Sequence, residues 1–152
     1  MILSIIFGLI AIGITVVIQG YGTLYWLKKF DQYHFDSNLH SFRKRSLRLI
    51  ISTAIFLIVL HLIQSALWAV IYMAHPDILE FDTFEKALYF SLVTFTTLGY
   101  GEITISSDNR ILAGLEAING IILIGWSTAF MFAVFAEVIK KSIETRSSRK
   151  QK

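Results

Sequence analysis

Three long runs of apolar residues, separated by short polar stretches, dominate the hydrophobic pattern of this 152-residue chain. The runs extend approximately over residues 2–27, 49–73 and 111–135. Their apolar residues are gathered into continuous blocks rather than into one amphipathic stripe. Each block is long enough to cross the roughly 30 Å hydrocarbon core of a bilayer. The pattern therefore predicts an all-α membrane protein with three transmembrane helices.

Aromatic and basic residues beside these runs predict their orientation. The aromatic residues that end the first two runs, of the kind that settles at membrane interfaces, are Tyr21, Tyr25, Trp26, Trp68 and Tyr72. The segment 28–48 contains six Lys or Arg residues against two Asp residues, and the segment 137–152 is also basic. The positive-inside rule places both segments in the cytoplasm, which leaves the N-terminus outside.

The chain accordingly divides into four parts. They are an N-terminal transmembrane helix at 1–27, a basic cytoplasmic segment at 28–48, a central unit at 49–136 and a basic cytoplasmic tail at 137–152. We expect the last dozen residues of the tail to be disordered or to touch lipid.

Composition narrows the classes of function. The chain is 55% hydrophobic, lacks cysteine and carries a formal net charge of only +3. Without cysteine there are no disulfides or thiolate metal sites. There is also no Gly-x-Ser-x-Gly sequence and no helical pair of metal ligands, so we expect neither an enzyme nor a cofactor. Nucleic acid is not an expected partner, and the basic clusters either bind anionic lipid headgroups or only fix the topology.

A short amphiphilic segment, 84–96, lies between the second and third runs and is too short to span. It predicts a re-entrant helix capped by Asp82, with Glu85 three residues later as in a capping box. The sequence Thr97-Leu98-Gly99-Tyr100-Gly101 follows. Its two glycines permit backbone conformations that turn successive carbonyls to one side. Stacked rings of such carbonyls, one set from each of four chains, replace the water shell of K+ in a selective pore.

The sequence Ala87-Leu88-Tyr89-Phe90-Ser91-Leu92-Val93-Thr94-Phe95-Thr96-Thr97-Leu98-Gly99-Tyr100-Gly101-Glu102 resembles the pore helix and signature sequence of the potassium channel superfamily. The likeness is to its two-transmembrane pore-domain type, here with an additional N-terminal helix. It implies an outer helix at 49–73, a pore helix, a filter loop, an inner helix at 111–135 and a homotetramer with four-fold symmetry. It also implies a pore-forming subunit that conducts K+ passively across the cell membrane, the inner membrane if the source is bacterial.

The resemblance also assigns roles to single residues. K+ would be bound by the filter carbonyls and the Thr97 hydroxyl, with Glu102 at the outer mouth. The residues expected to support the filter are Tyr89, Thr94, Thr96 and Glu116, and the Tyr100 ring is expected to brace the filter against the surrounding helices. Leu98 stands where the family usually has valine, and Glu102 where it usually has aspartate.

The inner helix contains two candidate hinge glycines, Gly120 and Gly125. Close packing through a small residue explains either glycine equally well. At 100° per residue one stripe is expected to line the inner cavity, formed by Ile121, Ile124, Gly125, Thr128, Phe132 and Phe135.

Glu116 is the one carboxylate placed well inside a spanning run. It lies about 140° from the predicted cavity stripe, so we expect it to point toward the pore helix or a neighbouring helix. Burial there should leave it protonated or tightly hydrogen-bonded. Its expected partners are Gln64, Ser65 and the backbone of 94–97. Gln64, Ser65 and His61 are themselves expected to form hydrogen bonds between helices.

Two other functions stay open at this stage. One is a cation channel of weak selectivity, because selectivity depends on the rigidity of the filter as well as on its amino-acid sequence. The other is a channel-like membrane protein that no longer conducts and acts as a sensor or assembly subunit. No spanning run carries arginine at every third position, so a voltage-sensor helix is not expected.

Overall fold

The computed structural model describes residues 2–31, 39–105 and 109–150, and these ranges are helical apart from the connections on either side of a short helix at 84–95. The helices are α1 (Ile2–Asp31), α2 (Leu39–Ala74), α3 (Phe84–Phe95) and α4 (Arg110–Lys150). No β-strand occurs within these ranges. The all-helical prediction is confirmed at this level.

Three of the helices are long and apolar enough to cross a membrane. Their candidate spans are Ile2–Lys29, Arg43–Ala74 and Arg110–Glu144. The fourth helix, α3, has only 12 residues, which makes it about 18 Å long and too short to span. The protein is therefore a membrane protein with three spanning helices and one short helix between the last two.

The helices extend beyond the apolar runs into the basic segments. Helix α1 continues to Asp31, and α2 already begins at Leu39. Helix α4 continues without a break to Lys150, so the expectation of a disordered tail is wrong up to that residue. An i,i+4 ion pair between Lys141 and Glu137, at 3.6 Å, supports the helix where it leaves the apolar run.

The basic end of α1 is anchored to α2 by Trp26. The Trp26 ring stacks on Phe56 with 4.4 Å between the ring centroids, and its indole nitrogen donates to the Thr53 hydroxyl at 2.9 Å. The ammonium group of Lys29 lies 5.3 Å from the same ring. An aromatic ring that carries a hydrogen-bond donor and lies next to a cation is typical of a helix end at the membrane interface.

Helix α3 packs between α2 and α4, and an aromatic cluster fixes it there. Tyr72 of α2 contacts Phe81 and Phe90 with ring centroids 5.6 and 5.1 Å apart. Phe95, the last residue of α3, is 1% exposed. Apolar burial on both sides therefore holds this short helix, which isolated would be too short to be stable.

Helix α3 begins one residue later than the predicted cap implied. Thr83 is the N-cap, with an extended backbone and a side chain that accepts from the Lys86 amide at 3.3 Å. Asp82 lies outside the helix and pairs with the Lys86 ammonium group at 3.3 Å. The assignment of Asp82 as the cap is therefore wrong, because Thr and Asp are both good caps and the sequence alone does not separate adjacent candidates.

Candidate functional site

The end of α3 is a Schellman motif with an unusual residue at its left-handed position. The Thr97 amide donates to the Thr94 carbonyl and the Leu98 amide to the Val93 carbonyl, both at 2.9 Å. Thr97 occupies the position normally taken by glycine and has φ +60°. A β-branched residue with positive φ is a genuine outlier, of the kind that concentrates at functional sites.

Positive φ recurs at every second residue beyond this point. Thr97, Gly99 and Gly101 have φ of +60°, +56° and +84°, whereas Leu98 and Tyr100 between them do not have positive φ. In an extended strand successive carbonyls point in opposite directions. Alternation between left-handed and right-handed backbone instead turns successive carbonyls toward one side. The alternating sign of φ over 97–101 is the backbone pattern that such a row of carbonyls requires.

The carbonyls of this segment differ in their hydrogen bonds from those of the helix end before it. Among the described residues, none of the backbone oxygens from Thr97 to Gly101 accepts a hydrogen bond. The carbonyls of Leu92 and Val93, by contrast, are occupied within the helix end, where the Thr96 hydroxyl donates to Leu92 at 2.7 Å. A row of unpartnered backbone dipoles is costly unless water or a cation satisfies it.

Two large side chains of this segment are mostly uncovered on the single subunit. Leu98 and Tyr100 are 55% and 66% exposed. Helices of the same subunit therefore leave most of the Tyr100 ring uncovered, and the bracing expected for it does not come from within one chain.

A cavity of about 230 Å³ lies behind the segment, between α3, the following loop and the start of α4. Tyr89, Thr94, Glu102 and Arg110 are among its lining residues. A hydrogen bond to Glu102, with smaller contributions from desolvation and charge, raises the pKa of the Tyr89 hydroxyl. Two of the four residues expected to support the filter, Tyr89 and Thr94, thus surround one space together with the expected mouth residue Glu102.

Glu116 of α4 links three helices, α2, α3 and α4, by hydrogen bonds. Its side chain is fully buried, and it accepts hydrogen bonds from the Tyr72 hydroxyl of α2 and the Ser91 hydroxyl of α3. The Ser91 oxygen also lies 2.7 Å from the Ser65 carbonyl. One carboxyl group therefore ties α4 to α2 and α3 a few residues before the 97–101 segment.

The predicted direction of Glu116 agrees with this arrangement, but its predicted partners differ. Its hydrogen bonds go to neither Gln64 nor the backbone of 94–97, and Ser65 takes part only through Ser91. Tyr72, which the sequence predicts at the membrane interface, is 0% exposed within the subunit. Residue spacing could have indicated Tyr72 as a partner of Glu116, because Ser65 and Tyr72 lie seven residues apart, on one face of α2.

Replacement of Glu116 tests whether this junction supports the segment. Glutamine retains the shape and an acceptor oxygen and should be tolerated. Alanine should lower the open probability, because it leaves the buried Tyr72 hydroxyl without a partner at a cost of about 1–3 kcal/mol per subunit. Single-channel recording separates the two variants, with Glu137→Ala, at a half-buried carboxylate farther along α4, as a control. A large fall in unitary conductance in Glu116→Gln, at unchanged open probability, would instead place the carboxyl group in the ion path.

Gly120 lies where α4 meets the end of α3. A Cβ atom on Gly120 would lie 1.9 Å from the carbonyl oxygen of Phe95, whereas one on Gly125 would have nothing within 4 Å. Helix α4 runs unbroken through both glycines. Close packing therefore explains Gly120, whereas nothing on the same subunit packs against Gly125.

The predicted cavity stripe is exposed on the single subunit. Ile121, Ile124, Phe132 and Phe135 are 60%, 36%, 74% and 42% exposed, and Gly125 and Thr128 are also exposed. A groove of about 480 Å³ between α2 and α4 includes Ile124, Thr128 and Phe132 in its lining. Such a large apolar surface is available for other subunits, for lipid or for a pore.

Comparison with known proteins agrees with the arrangement. A family model described as "Ion channel" matches residues 49–137, more than half of the chain. No curated protein and no solved structure matches the chain. The matched region includes α3, the 97–101 segment and most of the spanning parts of α2 and α4, while α1 lies outside it.

Proposed function

Because this chain belongs to the two-helix pore-domain family of ion channels, within the potassium channel superfamily, we propose that it is the pore-forming subunit of a potassium-selective channel. The observation that carries the proposal is the alternation of backbone conformation at Thr97, Gly99 and Gly101. In this proposal the alternation turns the carbonyl oxygens, which accept no hydrogen bond from the described residues, into the row of ligands that replaces the hydration shell of K+. The Thr97 hydroxyl adds a ligand at the inner end.

In this proposal α3 is the re-entrant pore helix and 97–101 is the filter. The C-terminal end of α3 carries the negative end of its dipole and directs it toward the place where a cation enters the filter from the inner cavity. At the other end, Glu102 contributes negative charge to the outer mouth. Both ends of the filter thus attract cations through fixed charges and dipoles.

The proposed assembly is a homotetramer around one axis. One chain supplies one row of carbonyls, and complete coordination of K+ needs four. The exposed stripe with Ile121, Ile124 and Phe132 lines the inner cavity of this tetramer, and neighbouring subunits cover Tyr100. The proposed orientation puts the N-terminus outside the cell membrane and the C-terminus in the cytoplasm, with basic helix ends next to anionic lipid headgroups.

Weak cation selectivity is the second candidate, and one residue favours it. Leu98 is bulkier than the valine usual at this position and is 55% exposed on the single subunit. Its packing against other subunits determines how rigid the filter is. A loose filter would still conduct but would discriminate less between K+ and Na+.

Ion flux from liposomes distinguishes the candidates. Purified protein in liposomes loaded with K+ should dissipate a K+ gradient, whereas the same protein should leave an equal Na+ gradient largely intact. Equal fluxes of both ions would favour the weakly selective channel. Absence of flux for either ion, in protein shown to be tetrameric, would favour the non-conducting subunit and contradict the proposal.

A further inference from the structure

Helix α1 lies outside the region that the family model matches, yet polar side chains bond it at three levels to α4 and to Asn109, the residue before α4. The Ser4 hydroxyl donates to the Asn109 side-chain oxygen at 2.8 Å. The Asn119 amide donates to the Thr15 hydroxyl at 2.8 Å. The Gln19 amide donates to the Ser127 hydroxyl at 2.9 Å. These contacts join α1 to the residue before α4 and to the middle and the inner half of α4.

The polar pairs are fully enclosed. The four side chains Ser4, Thr15, Gln19 and Asn119 are each 0% exposed. Gln19 also accepts from the Gln64 amide of α2 at 2.9 Å. Polar side chains in the spanning part of a membrane protein are costly unless they are paired, so they indicate a fixed helix position rather than a loose anchor.

Close packing at two glycines also indicates that α1 has a fixed position. A Cβ atom on Gly8 would lie 2.5 Å from a methyl group of Leu115 on α4. Farther along α1, a Cβ atom on Gly22 would lie 3.1 Å from Leu60 of α2. Helix α1 therefore packs closely on both α4 and α2, and the polar pairs set its register there.

The Thr15–Asn119 pair lies close to the end of α3 that precedes the proposed filter. Asn119 precedes Gly120, whose Cα faces the backbone of Phe95 at the end of α3. Thr97, the first filter residue, follows two positions after Phe95. A shift of α4 at Asn119 would therefore move the surface on which the helix end before the filter rests.

Asn119 depends on Thr15 for its position. The Thr15 hydroxyl lies 3.0 Å from the Ala11 and Ile12 carbonyls, to which it donates, and its lone pair is free to accept from Asn119. The Asn119 side-chain oxygen is buried without a partner in the described part of the chain. Thr15 therefore holds the one hydrogen bond that fixes this amide, and without it both polar atoms of the side chain would be unsatisfied in the membrane.

We propose that α1 stabilises the open state of the pore without lining it. Thr15 is a positioning residue, which holds α4 against the end of the pore helix through Asn119. This inference rests on the proposed function, because the filter it stabilises is the one assigned there.

Valine and serine at position 15 test the inference. Thr15→Val retains the shape but removes the acceptor, so it should shorten the mean open time of single channels roughly three- to tenfold, the range expected from hydrogen bonds between membrane helices. Thr15→Ser retains the hydroxyl and should restore the open time to within about twofold of the original. Unitary conductance should stay unchanged in both, because α1 does not line the ion path.

Thr23→Val is the matched control. The Thr23 hydroxyl is also buried on α1, but it donates within the helix to the Gln19 carbonyl at 2.7 Å. Its removal should leave the open time unchanged. A merely structural role for Thr15 would lower the amount of channel without changing the open time of each one. Equal open times in Thr15→Val and the original protein, or no rescue by serine, would overturn the inference while the proposed function stands.

A second measurement does not depend on conduction. In detergent solution Thr15→Val should lower the apparent melting temperature more than Thr23→Val does, because only the former leaves Asn119 unsatisfied. Equal melting temperatures of the two variants would overturn the inference even in a protein that does not conduct. Absence of potassium flux from the original protein would instead contradict the proposed function.

Discussion

Alanine at Gly99 should abolish potassium-selective flux in reconstituted liposomes. Gly99 has φ +56°, where an L-residue costs about 1–2 kcal/mol. The cost arises in all four subunits of the proposed tetramer, so it reaches roughly 4–8 kcal/mol for the filter as a whole. The tetramer would be expected to assemble with a filter whose carbonyls have turned away from the axis.

The expected loss of flux in Gly99→Ala comes from backbone strain and not from a clash with other residues of the subunit. This distinction provides a control. A Cβ atom on Gly99 would have nothing within 4 Å, and the same is true of Gly13 on α1, which is helical. Gly13→Ala should therefore leave flux unchanged. Selective flux of the original size from Gly99→Ala would exclude the segment 97–101 as the filter.

Alanine at Gly120 should prevent correct assembly of the pore. The added Cβ atom would lie 1.9 Å from the carbonyl oxygen of Phe95 and 2.8 Å from its carbonyl carbon. Backbone atoms cannot rotate away as a flexible side chain can, so α4 and the end of α3 must separate. Overpacking of this kind costs about 1–3 kcal/mol per subunit, and occasionally more. Size-exclusion chromatography should show a clear loss of tetramer.

Gly125→Ala provides the comparison, because its Cβ atom would meet nothing within 4 Å. The tetramer should form normally in this variant. A changed open probability at normal assembly would then assign the hinge to Gly125. Normal assembly and conduction of Gly120→Ala would contradict the close contact with Phe95.

The sequence was most informative where one physical rule acts on neighbouring residues. Continuous apolar runs predicted three spanning helices because a bilayer requires both length and hydrophobicity. The glycines at 99 and 101 indicated unusual backbone torsions because their missing Cβ permits them. Thr97 gave no such signal. Its positive φ follows from the way α3 ends, not from the preference of threonine.

Polar pairs between distant helices were the least predictable part. Thr15 and Asn119 are 104 residues apart, and Gln19 and Ser127 are 108 apart. Hydropathy marks each side chain as unusual in a membrane helix but contains no information about its partner. The partners of Glu116 were missed for the same reason, since Tyr72 fits both an interface position and a buried hydrogen bond.

The conformation of Thr97 implies a trade-off between folding and activity. Glycine at this position would satisfy the Schellman motif without strain, and it would stabilise each subunit by about 1 kcal/mol. Threonine retains the strain and in return places a hydroxyl at the inner end of the carbonyl row. A library of variants selected only for thermal stability would therefore be expected to accumulate glycine at 97, and it would lose the side-chain ligand in doing so.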